Sequence, residues 1–243
     1  MTKKIYRPTM ATLLGVATTI AAIAGTAGFI LGRLPMLRRF IPVHFDSQGL
    51  PDRWLPASIG LVLLPVWIQL TLAVVFGAIA GLLLYRTRPT RVPESAEDAA
   101  TRQDRERMLI TAEAVSLLSA IWVTFQGVAA IRILGLWERG WGGLGSAYGQ
   151  SLVVAVVLSI TVGIRAGVNL RHPEHAQRQT EDVHWRFSGV YFNPADPALF
   201  VPLRSGIGWT MNFGRPKAIV FLIFVMIFGF GAPLIILRFL LGE

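Results

Sequence analysis

Four ionisable side chains crowd the stretch Ile41–Trp54 (IPVHFDSQGLPDRW): His44, Asp46, Asp52 and Arg53. Imidazole and carboxylate are common ligands of zinc and manganese, so His44, Asp46 and Asp52 are candidates to hold a divalent cation. The same residues also suit a plain turn. Asp46-Ser47-Gln48-Gly49 fits a tight loop, and Asp52 can cap the helix that follows or pair with Arg53. A loop that recognises a peptide or a lipid is the third reading, with Gly49, Arg53 and Trp54 contributing. The stretch lies between two long apolar runs. So much polarity is excluded from lipid and belongs at a membrane surface or in a protein-lined pocket.

Other polar residues lie in or beside the apolar runs. Arg132 is either a buried counter-ion to Asp46 or Asp52 or a side chain that snorkels to the outer surface. Glu113 and Arg165 lie close to run ends and are expected to snorkel to water. His172-Pro173-Glu174-His175, followed by His184, is not an HExxH arrangement. Pro173 opposes a helical metal face, so a solvated loop is expected. Gly206 and Gly208 suit unusual backbone angles, since a lone GxG is a weak phosphate signal. No GxSxG, Walker or Rossmann fingerprint occurs, and neither a catalytic residue nor a cofactor is expected.

The elements that must position these residues follow from hydropathy. Of 243 residues 53% are hydrophobic and 15% charged, and the mean hydropathy is +0.55, too apolar for an ordinary soluble domain. The expected class is an all-α integral membrane protein with about five transmembrane helices and a small β-rich cytoplasmic element. Residues 1–84 form a first helix pair enclosing an outer polar loop, 33–58. The run from Ala11 to Gly32 is of spanning length, so Ala22-Ile23-Ala24 reads as part of an uncleaved helix rather than a cleavage box. Gly15, Thr18, Ala22 and Gly25 suggest a small-residue packing face on it. The second run, Ile59 to Leu84, should kink at Pro65 and holds Gln69 as a polar residue at depth.

Residues 85–107 are a charged cytoplasmic segment, with a helix expected from about Ala96 into the third run. Residues 108–168 hold the third and fourth spans, with Gln126 midway along the third. Residues 169–216 turn to period two: Val183, Trp185 and Phe187, then Trp209, Met211 and Phe213, alternate with polar residues, which predicts two to four short strands. Residues 217–243 carry the fifth run, about Ala218 to Leu241. There is no cysteine, which excludes disulfides and thiolate metal sites.

Two segments resemble known families. Pro42-Val43-His44-Phe45-Asp46, Gly49 and Pro51-Asp52-Arg53-Trp54 resemble a short bacterial membrane domain of unknown function. That domain occurs in immunity and signal-transducing proteins of the Sdp toxin system, between the first two spans. The family commonly follows its Trp with small residues and a Lys; Leu55-Pro56-Ala57-Ser58 stands here instead. The second segment comprises Tyr191-Phe192-Asn193-Pro194, Asp196-Pro197, Phe200-Val201, Arg204 and Gly206-Ile207-Gly208-Trp209-Thr210-Met211-Asn212-Phe213. It is similar to an uncharacterised C-terminal domain that often accompanies the first. The resemblance implies Tyr191, Asn193, Asp196, Arg204, Gly206, Gly208, Trp209 and Asn212 as the residues of a cytoplasmic module.

Charge sets the expected orientation. With the N-terminus inside, sixteen of the 23 Lys and Arg lie on inner segments and six on outer ones, so the N-terminus is expected in the cytoplasm of a bacterial inner membrane and the C-terminus outside. The net charge of +9 is then matched by anionic lipid rather than by nucleic acid. The leading expectation is a non-enzymatic sensor or immunity-type protein. It would bind an external peptide, ion or lipid and signal to a cytoplasmic protein partner. The alternatives are a metal-dependent membrane enzyme built on His44, Asp46 and Asp52, or a transporter subunit.

Overall fold

The computed structural model describes residues 4–5, 7–46, 50–86, 94–139, 145–170, 182–186, 189–196, 198–203 and 209–227. The fold is mostly helical. Strand β1 (Lys4–Ile5) precedes α1 (Met10–Arg33), a 3-10 turn (Leu34–Met36) and the hairpin of β2 (Phe40–Phe45) and β3 (Pro51–Pro56). Then come α2 (Ile59–Val62), α3 (Leu64–Leu84) and β4 (Tyr85–Arg86), which pairs antiparallel with β1. The long α4 (Glu94–Arg139) and α5 (Ser146–Leu170) follow. Last are β5 (Trp185–Arg186), β6 (Val190–Tyr191), β7 (Phe200–Pro202), β8 (Trp209–Met211) and α6 (Pro216–Met226).

Four helical segments are long and apolar enough to cross a membrane: Met10–Met36, Leu64–Leu84, Glu106–Arg139 and Ser146–Leu170. The fifth run begins as α6, and its course after residue 227 lies outside the described residues. The expected kink of the second run is a full break. The chain leaves the helix at Leu63, and Pro65 falls in the first turn of α3, where its missing N–H costs no hydrogen bond.

The hub is α4, which packs against α1, α3 and α5. At 46 residues it is about 69 Å long at 1.5 Å per residue, longer than the roughly 30 Å of a bilayer's hydrocarbon core. Its pairing with α1 is parallel and in register, since Thr9 meets Glu113, Thr19 meets Ser119 and Arg33 meets Glu138. The packing face of α1 differs from the small-residue face expected. Thr12, Gly15, Thr19, Thr26 and Ile30 are buried, whereas Thr18 and Gly25 are exposed. Gly15 allows the closest approach, as a Cβ there would lie 2.8 Å from the Ser116 carbonyl oxygen.

Gln69 ties three helices together at the centre. Fully buried on α3, its Nε2 donates to Thr26 Oγ1 of α1 at 3.0 Å and to the Val123 carbonyl of α4 at 2.9 Å. Gly127 makes the room, because a Cβ there would lie 2.8 Å from Thr26 Oγ1 and 3.2 Å from the Gln69 amide nitrogen. Toward the hairpin end, Ile30, Ile41, Leu61, Val62, Ala130, Leu134 and Trp137 form an apolar core. A smaller one, Ala80, Leu83 and Ala112, lies at the opposite end of α3.

Candidate functional site

The stretch expected as a loop is a β hairpin. Phe40 faces Pro56, Ile41 faces Leu55 and Pro42 faces Trp54, and the register shifts on either side of His44. Opposed residues point to one face of the ribbon. Ile41, with Leu55, turns inward onto the apolar core, while Phe40 and Trp54 on the other face stay exposed. The hairpin is pinned to α4 by Trp137, whose indole Nε1–H donates to the buried Pro42 carbonyl at 2.7 Å. Alongside, Glu138 accepts from Arg33 Nη1 at 3.1 Å, and its backbone carbonyl accepts from Arg38 Nε at 3.3 Å.

His44 Nδ1 lies 2.6 Å from Asp52 Oδ1. A carboxylate only accepts, so Nδ1 carries a proton in this bond. Asp52 therefore engages His44, and Ser58 caps the following helix through Leu61 N–H. Asp46 closes the turn: its N–H donates to the Leu50 carbonyl and its Oδ1 accepts from Leu50 N–H, each at 2.8 Å. Gly49 lies outside the described residues. Arg53 stands opposite His44 and is exposed, as is Trp54. Among the described residues no three His, Asp or Glu side chains are grouped to hold a metal ion. Arg132 is exposed and makes no ion pair with any described residue, which matches a side chain reaching the surface and not a buried counter-ion.

Glu113 and Arg165 do not snorkel separately. Arg165 Nη2 donates to Glu113 Oε1 at 2.9 Å, and Thr9 Oγ1 donates to Glu113 Oε2 at 2.9 Å. The trio fastens α5 and the start of α1 to α4.

The period-two segment forms four strands in two antiparallel pairs, β5 with β6 and β7 with β8, joined by a parallel bridge from Tyr191 to Asn212. Trp185, Tyr191, Ala198 and Val201 are its core. The motif residues close on one another. Asn212 is fully buried and all its capacity is used: Oδ1 accepts from Asn193 N–H and Gly214 N–H, and Nδ2 donates to the carbonyls of Asn193 and Asp196. Tyr191 donates its hydroxyl to Asp196 Oδ2 at 3.1 Å and accepts from Asn193 Nδ2 at 3.2 Å. Burial pushes the Tyr191 hydroxyl above its ordinary pKa; the Asn193 bond opposes this, and the Asp196 charge adds to it. Arg204, Gly206 and Gly208 lie outside the described residues, as do His172 and His175, and Trp209 is located only as the start of β8.

Phe200 of β7 joins this module to the helices, packing on the Ala80, Leu83 and Ala112 core and edge-on to Phe221 of α6 at 5.9 Å. Sequence reasoning missed Glu138, Gly214 and the docking role of Trp137, and had Phe200 only as a motif residue. A Cβ on Gly214 would lie 2.6 Å from the Asn193 backbone. A Gly between Phe213 and Arg215, directly after the buried Asn212, was the one signal available.

Comparison with known proteins adds one match. The model of a family described as "Family of unknown function (DUF5808)" matches residues 194–219, from the Asn193–Asp196 turn to the first turn of α6. The comparison brings no link to Sdp-type immunity proteins. No curated protein and no solved structure matches the chain.

Proposed function

We propose that the chain is a multi-pass protein of a bacterial inner membrane, with the N-terminus in the cytoplasm and the C-terminus outside. It is non-enzymatic. The hairpin binds an external peptide, ion or lipid, and the β module reports to a cytoplasmic protein partner. One observation carries this reading: α4 holds the hairpin at one end through Trp137 and at the other supplies Ala112 to the apolar cluster, shared with α3, on which Phe200 of the module packs. A rigid helix between two polar β elements is a path along which rigid-body movement at one reaches the other. Two further features support it. Val153, Val154, Val157, Ile160, Ile164 and Val168 leave α5 with a bare apolar flank, which suits lipid and not water. The Tyr191, Asn193, Asp196 and Asn212 network is spent on its own fold, so the module acts as a rigid platform, not as a catalyst. The resemblance of the hairpin stretch to Sdp-type proteins points to an immunity-like role.

The chain has no cysteine, so orientation is read with single substitutions at two exposed positions, Leu50 and Val183. A membrane-impermeant maleimide should label Leu50→Cys in intact cells and Val183→Cys only after the cells are opened. The reverse pattern overturns the reading.

A further inference from the structure

We propose that the cleft between α4 and α5 holds one phospholipid of the inner leaflet whose headgroup is a zwitterion with a primary ammonium, namely phosphatidylethanolamine. This rests on the membrane orientation proposed above. The cleft measures about 570 Å³ and is graded along its length. The two helices run antiparallel, so depth can be read from residue number. Glu106 and Asn169 line the mouth, where the apolar span of α4 begins and α5 ends. Glu113 and Arg165 come next, joined at 2.9 Å. Leu117 and Val162 line the deepest part. Polar groups at the bilayer surface and apolar ones toward its middle match a headgroup followed by the start of an acyl chain.

Charge selects the headgroup. Glu113 already accepts from Arg165 and Thr9, which leaves Glu106 to receive an ammonium. Arg165 uses one donor on Glu113 and is 63% exposed, so the rest of its guanidinium can face a phosphate. Two carboxylates against one guanidinium give the cleft a net negative charge. A phosphate without an accompanying cation is therefore disfavoured, which ranks phosphatidylethanolamine above phosphatidylglycerol. A primary ammonium donates N–H bonds to Glu106, and a quaternary one does not, which ranks it above phosphatidylcholine.

Native mass spectrometry of the full chain, released from nanodiscs of an equal mixture of the three lipids, tests this. One phosphatidylethanolamine per chain should remain, about tenfold over phosphatidylglycerol, the ratio given by about 1.4 kcal/mol. Glu106→Gln should erase that preference. Arg165→Gln also breaks the Glu113 pair, so Ala166→Leu is the cleaner companion. It narrows the cleft, keeps every charge and should lower retention of all three lipids. Glycerophosphoethanolamine should not displace the lipid. Equal retention of all lipids, an adduct unchanged by Ala166→Leu, displacement by the soluble headgroup, or no adduct because another segment of the chain fills the cleft would each overturn the site. Carbonate washing separates the two failures. A chain that stays with the membrane and labels at Leu50→Cys and Val183→Cys as expected but keeps no lipid loses the site alone, and a chain that washes off or labels in reverse loses the orientation reading as well.

Discussion

Tyr191 shows how a motif residue can belong to the scaffold. Its ring packs on Trp185 at 5.2 Å, and its hydroxyl bonds Asn193 and Asp196. In the unfolded chain a tyrosine ionises near pH 10. In the fold, burial and the nearby Asp196 carboxylate hold it neutral to higher pH. The stability it lends is thus whole below about pH 10 and is lost as pH rises through the folded value, because the unfolded chain releases its proton first. Of the four tyrosines, Tyr191 should be the component still protonated when exposed ones have titrated. Alkaline titration followed by tyrosinate absorbance should lose that late component in Tyr191→Phe. At neutral pH the same variant should be destabilised by only about 1 kcal/mol, the usual net loss from a hydrogen bond. If the variant instead loses amplitude in the early part of the titration, the hydroxyl is hydrated and the network open.

At the scale of elements, what the sequence made legible was whatever hydropathy controls. The four long helices, the continuous helix entering the third apolar run and the presence of short strands in the module all follow from runs and periods in the residues. The hairpin did not, because Pro42, Pro51 and Pro56 argue against strands by removing ladder donors. A two-stranded ribbon tolerates them, since each strand has one side with no ladder to complete. The face of α1 was misread for a different reason. Small residues were sought, but threonine hides its hydroxyl by bonding its own helix, as Thr19 does to the Gly15 carbonyl and Thr26 to the Ala22 carbonyl. It then packs like a valine that can still bond sideways. The Glu113–Arg165 pair depends on how two helices align, which a single sequence does not encode locally. The hairpin itself should depend on Trp137. Trp137→Phe keeps an aromatic ring but leaves the buried Pro42 carbonyl without its indole donor, a loss of about 1–3 kcal/mol. Hydrogen exchange at the amides of residues 40–45 should speed accordingly, with the helices unchanged. Unaltered exchange would mean that apolar contact alone holds the hairpin.

For the whole molecule the question is whether α4 is a strut or a transmitter. The contacts fit either, because a helix held at both ends is equally present in a rigid frame and in a coupled one. Energetic coupling separates them, and it must be reciprocal: the hairpin can influence the module only as much as the module influences the hairpin. Trp137→Phe loosens the first, and Gly214→Ala strains the second through the Asn193 backbone 2.6 Å away. The two positions belong to separate elements, the hairpin end of α4 and the β module, so in a passive frame their effects add to within about 0.3–0.5 kcal/mol. If α4 transmits, the double variant should depart from additivity by about 0.5–2 kcal/mol. The departure should have the same sign and size whether hydrogen exchange is read at residues 40–45 or at 209–213. Additivity at both elements would reduce α4 to a spacer and remove the signalling half of the proposed function while leaving its orientation intact. A departure seen at one element alone would violate reciprocity and point to local unfolding rather than coupling.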